Sequence, residues 1–303
     1  MIKKVFITGI SGFIGKHLCD ELSDRGIDFF GVSKNSNRFP HPAITKDISI
    51  LDKDSLREAL EEYQPDAIVH LAAIASATHE DAASIYEVNV CGSENLLKAA
   101  KAVCPKGTPV LLASTAGVYG NQDYEFYDEE LQFSPVNHYS YSKMVMEILC
   151  NNFCEYLNIK IVRPFNIIGT GQNQSFVIPK LVKAFASKSP RIPLGNMDAV
   201  RDYTDVKLCV YSILEFLCEE KSRYQILNIC SGVGNSVKDA FEILTELTGF
   251  RPKIDITSNI VRENEVWRLV GSNKRLSELI GSKYEAPDLR TILKQLLENE
   301  GVK

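Results

Sequence analysis

The sequence predicts a doubly wound parallel α/β sheet, and three observations lead there. Short apolar runs alternate five times with amphipathic stretches ahead of residue 115. The first run, Val5-Phe6-Ile7, breaks at Thr8-Gly9-Ile10-Ser11-Gly12-Phe13-Ile14-Gly15 and resumes as a helix through Leu18, Leu22 and Arg25. The residues with chemical potential then gather at the carboxyl ends of the runs, where sheets of this kind bind their ligands.

Taking the chain in order, glycines 9, 12 and 15 suit a tight turn, a close approach of backbone to ligand, and close packing of the new helix on the sheet. Such a turn offers backbone N–H groups at the positive end of a helix, which fits a pyrophosphate. Residues 28–33 read as the second strand. It leads into Ser33-Lys34-Asn35-Ser36-Asn37-Arg38, where many NAD-binding chains carry an acid. Ser, Asn and Arg there would receive a phosphate that an acid would repel, so NADPH is favoured over NAD, which stays possible.

A short segment ends at Asp47-Ile48, and a helix runs from about Asp52 to Tyr63. The strand Ala67 to Leu71 then opens into Ala72-Ala73-Ile74-Ala75, small residues that let a cofactor lie against backbone. His70 reads as a satisfied structural residue rather than a catalyst. A helix over roughly 82–103 carries Asn89, and the strand Val110 to Ala113 delivers Ser114-Thr115-Ala116-Gly117-Val118-Tyr119-Gly120.

Tyr139-Ser140-Tyr141-Ser142-Lys143 opens the next helix, and a spacing of four places Tyr139 and Lys143 on one face. A free phenol titrates near 10, and a neighbouring ammonium is expected to draw it towards neutrality. With the Thr115 hydroxyl aligning a carbonyl oxygen, the trio would reduce a ketone or oxidise an alcohol. Beyond a strand at 160–162 the alternation loosens. A helix is expected over 177–186, an irregular stretch with two prolines over 190–195, a helix from Arg201 through Leu217, a strand near Leu227 and a helix over 237–247.

Composition excludes several classes. At 303 residues, 45% apolar and 24% charged, the chain is an ordinary globular protein of one large or two joined domains. A net charge of -5 without a basic run argues against nucleic acid as a partner, and no apolar stretch approaches a membrane span. Met1 leads directly into a strand pattern without a signal peptide, so a cytoplasmic setting is expected. Eight cysteines, with no Cys-x-x-Cys pair and no histidine near Cys150 and Cys154, predict reduced, mostly buried thiols and no metal site.

Together these motifs resemble the extended short-chain dehydrogenase/reductase family, whose members act mainly on nucleotide sugars. The resemblance runs through Thr8-Gly9-x-x-Gly12-Phe13-Ile14-Gly15, His70-Leu71-Ala72-Ala73, the Asn89 helix, Ser114-Thr115-x-x-Val118-Tyr119-Gly120, Tyr139-x-x-x-Lys143, Arg163-Pro164-x-Asn166 and Arg201-Asp202-Tyr203-Thr204-Asp205-Val206. It implies a Rossmann-type dinucleotide-binding domain over 1–165 with a return segment at about 198–228. A smaller, interleaved α/β substrate domain would comprise 166–197 and 229–303.

The resemblance also implies Thr115, Tyr139 and Lys143 as the catalytic trio. Cofactor contacts would come from Gly9, Ser11, Gly12, Phe13, Ile14, Ser33, Arg38, Asp47, Ile48, Leu71, Ala72, Ala73, Asn89, Tyr139, Lys143 and Pro164. Asn166, Lys180, Arg201 and Arg262, with Thr115, would hold the sugar nucleotide, and a homodimer is implied. Ala116-Gly117 stand where the family's dehydratases place an acidic pair, which disfavours dehydration. Ile167 and Thr170 depart from the His and Pro of the reductase pattern. The expected activity is NADPH-dependent reduction of the 4-keto group of a nucleotide-activated 6-deoxyhexose. A 4-epimerase holding NAD and a catalytically inactive cofactor-binding regulator are the alternatives.

Overall fold

The computed structural model describes residues 2–34, 44–75, 81–219, 225–256 and 266–302. In chain order, β1 (Lys4–Thr8), α1 (Phe13–Asp24), β2 (Asp28–Ser33), β3 (Ile44–Asp47), α2 (Lys53–Tyr63), β4 (Ala67–His70), α3 (Ala82–Tyr86), α4 (Gly92–Val103) and β5 (Pro109–Ala113) form the first half. There follow α5 (His138–Cys150), β6 (Asn158–Pro164), β7 (Asn166–Ile168), α6 (Val177–Ala186), β8 (Arg191–Leu194), β9 (Val200–Asp205) and α7 (Val206–Cys218). The chain ends with β10 (Ile226–Ile229), β11 (Gly234–Ser236), α8 (Val237–Thr248), β12 (Lys253–Ile256), β13 (Arg268–Leu269), α9 (Lys274–Ile280) and α10 (Leu289–Asn299).

Seven strands make one sheet in the order β10-β6-β5-β4-β1-β2-β3, the doubly wound arrangement expected from the alternation. Its pairs are parallel where β1 meets β2 and β4, and where β5 meets β4 and β6. A parallel strand is covered on both faces, and Val5, Phe6, Ile7, Ile68, Val69, Leu111 and Leu112 are accordingly fully buried. Phe6, Phe30, Leu56, Leu60, Leu97, Leu112 and Met146 belong to one core.

Contacts divide the chain into one unit of residues 1–120, 132–164 and 210–227, and another of 121–131, 165–209 and 228–303. The bounds differ from the expected ones for a local reason. Tyr127 bridges to Gly271, which draws 121–131 into the second unit, and β9 pairs with β7, β11 and β13 there. That unit has its own core of Ile178, Leu181, Phe185, Phe241, Leu244, Leu293 and Leu297.

Several expected elements are corrected. Residues 201–205 are strand, not the opening of a helix. The acid that caps α7 is Asp205, accepting from the Lys207 N–H at 3.1 Å, whereas buried Asp202 accepts from Ser231 N, Ser231 Oγ and Gly232 N at 2.8, 2.7 and 2.9 Å. The stretch 190–195 contains β8, which tolerates Pro193 because its sheet has only two strands and both are edges. The helix over 82–103 is broken by a π-helical turn at Glu87–Cys91. Of the eight free cysteines, Cys19, Cys150, Cys209 and Cys230 are buried, while Cys91, Cys154 and Cys218 are exposed, so "mostly buried" was too strong. Among the described residues, no helix is long and apolar enough to cross a membrane.

Candidate active site

The glycine turn between β1 and α1 is shaped by backbone proximity. Gly9 has φ of +74°, and a Cβ there would stand 2.6 Å from the Ala72 nitrogen, so the turn lies directly against the end of β4. Gly12 opens α1 with no side-chain cap, leaving the first-turn amides, beginning at Phe13 and Ile14, for an anion. The residues present therefore fit a dinucleotide's diphosphate. Ser11 Oγ lies 2.5 Å from Ser33 Oγ at the end of β2, and Ser33 is the register partner of Asp47 on β3. Ile48 donates its N–H to the Ser33 carbonyl at 3.2 Å, and Leu71 donates to that of Thr8 at 3.0 Å. Leu71, Ala72 and Ala73 are half-buried, and Pro164 is buried at the end of β6. Arg38 lies outside the described residues.

The catalytic trio comes together on β5 and α5. Asn137 caps α5 by accepting from the Ser140 N–H at 2.9 Å, which puts Tyr139 in the first turn. Thr115 follows β5 and caps the short 3-10 turn Ala116–Tyr119, accepting from Gly117 N–H at 3.1 Å. Its hydroxyl also hydrogen-bonds the Tyr139 phenol. A side chain at Gly117 would meet Ser140 Oγ, so that hydroxyl would have to turn away to admit one.

The expected lowering of the phenol does not occur. Burial pushes Tyr139 up to about 12, opposed only in part by the Thr115 hydrogen bond. Lys143, itself buried, directs Nζ at the Ala113 carbonyl at 2.7 Å instead of serving the phenol, and burial draws it down to about 8 against the pull of Glu147 and Cys150.

Asn89 is fully buried in the π-turn. Its amide accepts from the Ile74 N–H at 2.8 Å and donates to the Ile74 carbonyl and to Ser142 Oγ at 3.2 and 2.9 Å. Ser142 in turn donates to the Tyr139 carbonyl at 2.7 Å. Asn89 thus ties the loop after β4 to the catalytic helix.

His70 is satisfied on both nitrogens, by Thr8 Oγ1 at 2.6 Å and Ser93 Oγ at 2.8 Å. Because Ser93 spends its proton on the Asn89 carbonyl at 2.7 Å, His70 carries its hydrogen on Nε2 and accepts at Nδ1. Burial, then the nearby Lys143, push it down to about 3. The unfolded chain takes up that proton near pH 6.5 and the folded one does not, so stability present above 6.5 falls as pH drops towards 3. Denaturant unfolding at pH 5.5 is expected to show about 1 kcal/mol less stability than at pH 7 from this group. His70→Gln, which keeps a donor and an acceptor, should remove that part of the slope; an unchanged slope assigns the proton elsewhere.

In the second unit, Asn166 opens β7, half-buried, opposite Tyr203 on β9, the strand that carries Arg201. Arg201 donates to the Val200 carbonyl at 3.0 Å, and Lys180 to that of Pro193 at 2.5 Å. Arg262 lies outside the described residues.

Sequence reasoning passed over Glu147 and gave Arg163, part of a quoted motif, no role of its own. They form a buried bidentate pair, Nη2 to Oε2 at 2.7 Å and Nε to Oε1 at 3.1 Å, with side chains 3% and 2% exposed. Removing one partner of such a pair costs about 3–5 kcal/mol. A lone acid among Met144, Val145, Met146, Ile148 and Leu149, four residues after Lys143, was the available signal.

The description "NAD dependent epimerase/dehydratase family" matches residues 5–230. GDP-6-deoxy-D-talose 4-dehydrogenase of Aggregatibacter actinomycetemcomitans is 35% identical, over 98% of this chain and 97% of its own. GDP-6-deoxy-D-mannose reductase of Pseudomonas aeruginosa is 32% identical, over 97% of each. A solved structure of RMD from Pseudomonas aeruginosa complexed with NADPH superimposes with a TM-score of 0.83 at 30% identity, covering 98% of both chains.

Proposed function

The chain belongs to the NAD dependent epimerase/dehydratase family and is a nucleotide-sugar-modifying enzyme, and from that premise we propose a finer reading: an NADPH-dependent reductase of the 4-keto group of a nucleotide-activated 6-deoxyhexose, resembling GDP-4-keto-6-deoxy-mannose reductase. The observation that carries it is the Thr115–Tyr139 hydrogen bond beside buried Lys143 at the end of β5. The names of the two relatives support the substrate. Talose and mannose differ only at C4, so oxidation of the one and reduction to the other share a single 4-ketone.

The phenol suits the proton step of that reduction. Held up at about 12, Tyr139 is protonated at neutral pH and can donate to a ketone oxygen. Thr115 aligns that oxygen, and Lys143 holds positive charge at the same strand end. Gly9, Ser11, Gly12, Phe13 and Ile14 would hold the cofactor's diphosphate, with Ser33 at the adenosine ribose. Bound there, a reduced nicotinamide supplies hydride to the ketone carbon. Serine in place of an acid at Ser33 supports NADPH. Asn166, Lys180, Arg201 and Arg262 are the proposed sugar-nucleotide contacts.

Absorbance at the nicotinamide band, with NADPH and GDP-4-keto-6-deoxy-mannose, is expected to fall in proportion to substrate consumed. A 4-epimerase would purify with NAD bound and show no net consumption; an inactive regulator would bind NADPH and turn nothing over. The proposal extends to a cytoplasmic homodimer built on α3, α4 and α5, supported by Tyr141 and Ile148, exposed at 42% and 52% on α5, and sedimentation tests the assembly.

A further inference from the structure

The end of β5 and one face of α5 are joined link by link. Ala113 accepts Lys143 Nζ through its carbonyl, Ser114 donates its hydroxyl to the Glu147 carboxylate, and Thr115 hydrogen-bonds Tyr139. Three consecutive residues, the last of β5 and the two that follow it, thus engage three helix side chains spaced four apart, which lie on one helix face. A second strand secures the Glu147 link. Arg163 of β6 grips its carboxylate through two nitrogens and gives Nη1 to the Tyr119 hydroxyl at 3.0 Å. Tyr119 ends the turn that Thr115 caps, so Glu147 and Arg163 fasten both ends of that turn.

We propose that Glu147 is a positioning residue of the redox site. It sets the register of strand and helix that brings Thr115 to Tyr139, and it supplies the negative charge against which the Lys143 ammonium is held. The proposal rests on the oxidoreductase reading for its effect on turnover, but its charge component is measurable without any substrate.

The groups facing Lys143 can be named. On α5 they are Glu147, the Cys150 thiol and, at 3.9 Å, the Met146 sulfur; from β4 comes His70, neutral at physiological pH; from β5 comes the Ala113 carbonyl. Arg163 of β6 reaches this group only through Glu147. Burial works against the ammonium, and Glu147 is the first of the groups that oppose it. A buried pair kept for packing alone would leave Lys143 indifferent to its replacement by neutral side chains.

The test follows the Lys143 titration by NMR of protein labelled at the lysine ε-carbon, with the signal assigned by its loss in Lys143→Met. Wild type, Glu147→Gln and the double variant Glu147→Gln/Arg163→Met are compared, the double variant leaving no unpaired guanidinium at the site of the pair. The Lys143 midpoint is expected to fall by about one unit or more in both variants, the effect of losing a nearby opposite charge. A wild-type midpoint in the double variant overturns the proposal, because the pair would then act by packing alone.

Ser114→Ala isolates the positioning component, since it breaks the strand link and keeps both charges. There kcat is expected to fall about tenfold or more with KM unchanged and the Lys143 midpoint in place. A wild-type kcat in Ser114→Ala overturns the positioning role. If the wild-type enzyme reduces no 4-keto sugar nucleotide, the functional reading has failed, and the titration still decides whether Glu147 holds the charge on Lys143.

Discussion

Tyr139→Phe is expected to lower kcat by about 10²–10⁴-fold, the range supplied by a positioned general acid, while NADPH binds as tightly as before. The substitution removes one oxygen and little volume. Tyr139 sits in the first turn of a helix capped independently by Asn137, and Ser142, which donates to the Tyr139 carbonyl, uses backbone and not the phenol. Neither the helix nor the Asn89 tie to the loop after β4 is therefore disturbed. Stopped-flow turnover together with a fluorescence titration of NADPH separates the two effects. Equal losses in both would mean that the phenol serves cofactor binding and not proton transfer.

The second large effect is expected at Gly9. Alanine there must adopt a φ of +74° and place its methyl 2.6 Å from the Ala72 nitrogen, so the turn and the end of β4 have to separate. Backbone strain and overpacking together are expected to cost about 2–4 kcal/mol. In a chain of this size that lowers the thermal midpoint by roughly 5–15 °C. Cofactor affinity should fall with it, because the amides at the start of α1 move with the turn. Gly12→Ala is the informative comparison. Gly12 has ordinary extended backbone, with φ of -73°, and an added Cβ meets only the Gly9 carbonyl oxygen at 3.1 Å. It should keep the midpoint within about 3 °C of wild type and still weaken NADPH binding. Calorimetry and the same fluorescence titration distinguish them.

What was legible in the sequence was local. The glycine turn, the buried parallel strands and the one-turn spacing of Tyr139 and Lys143 each depend on residues a few positions apart, and the doubly wound parallel class follows from the alternation of strands and helices. The misread parts depend on partners far along the chain. Residues 201–205 were expected to open a helix because nothing nearby revealed that Ser231 and Gly232 would claim Asp202. Pro193 suggested irregular chain because the second strand of its sheet, β12, begins only at Lys253. The tie that Asn89 makes between Ile74 and Ser142 was likewise out of reach of the sequence, since Ser142 lies on another helix.

The phenol is the instructive case. A neighbouring cation lowers a tyrosine and burial raises it, and sequence spacing reports only the first of these. In the folded chain the ammonium is committed to the Ala113 carbonyl and burial dominates, so the phenol expected to be drawn towards neutrality is pushed up instead. The Glu147 and Arg163 pair was hidden for the same reason. Two charges in apolar segments signify little until the fold brings them together.

The most direct measurement uses NADPH carrying deuterium at the transferable position of the nicotinamide, with a 4-keto-6-deoxy sugar nucleotide as substrate and mass spectrometry of the product. The account predicts a reduced sugar nucleotide one mass unit heavier than that made with unlabelled cofactor, with one NADPH consumed per product. A sugar that changes configuration at C4 while the deuterium stays on undiminished NADPH would contradict it.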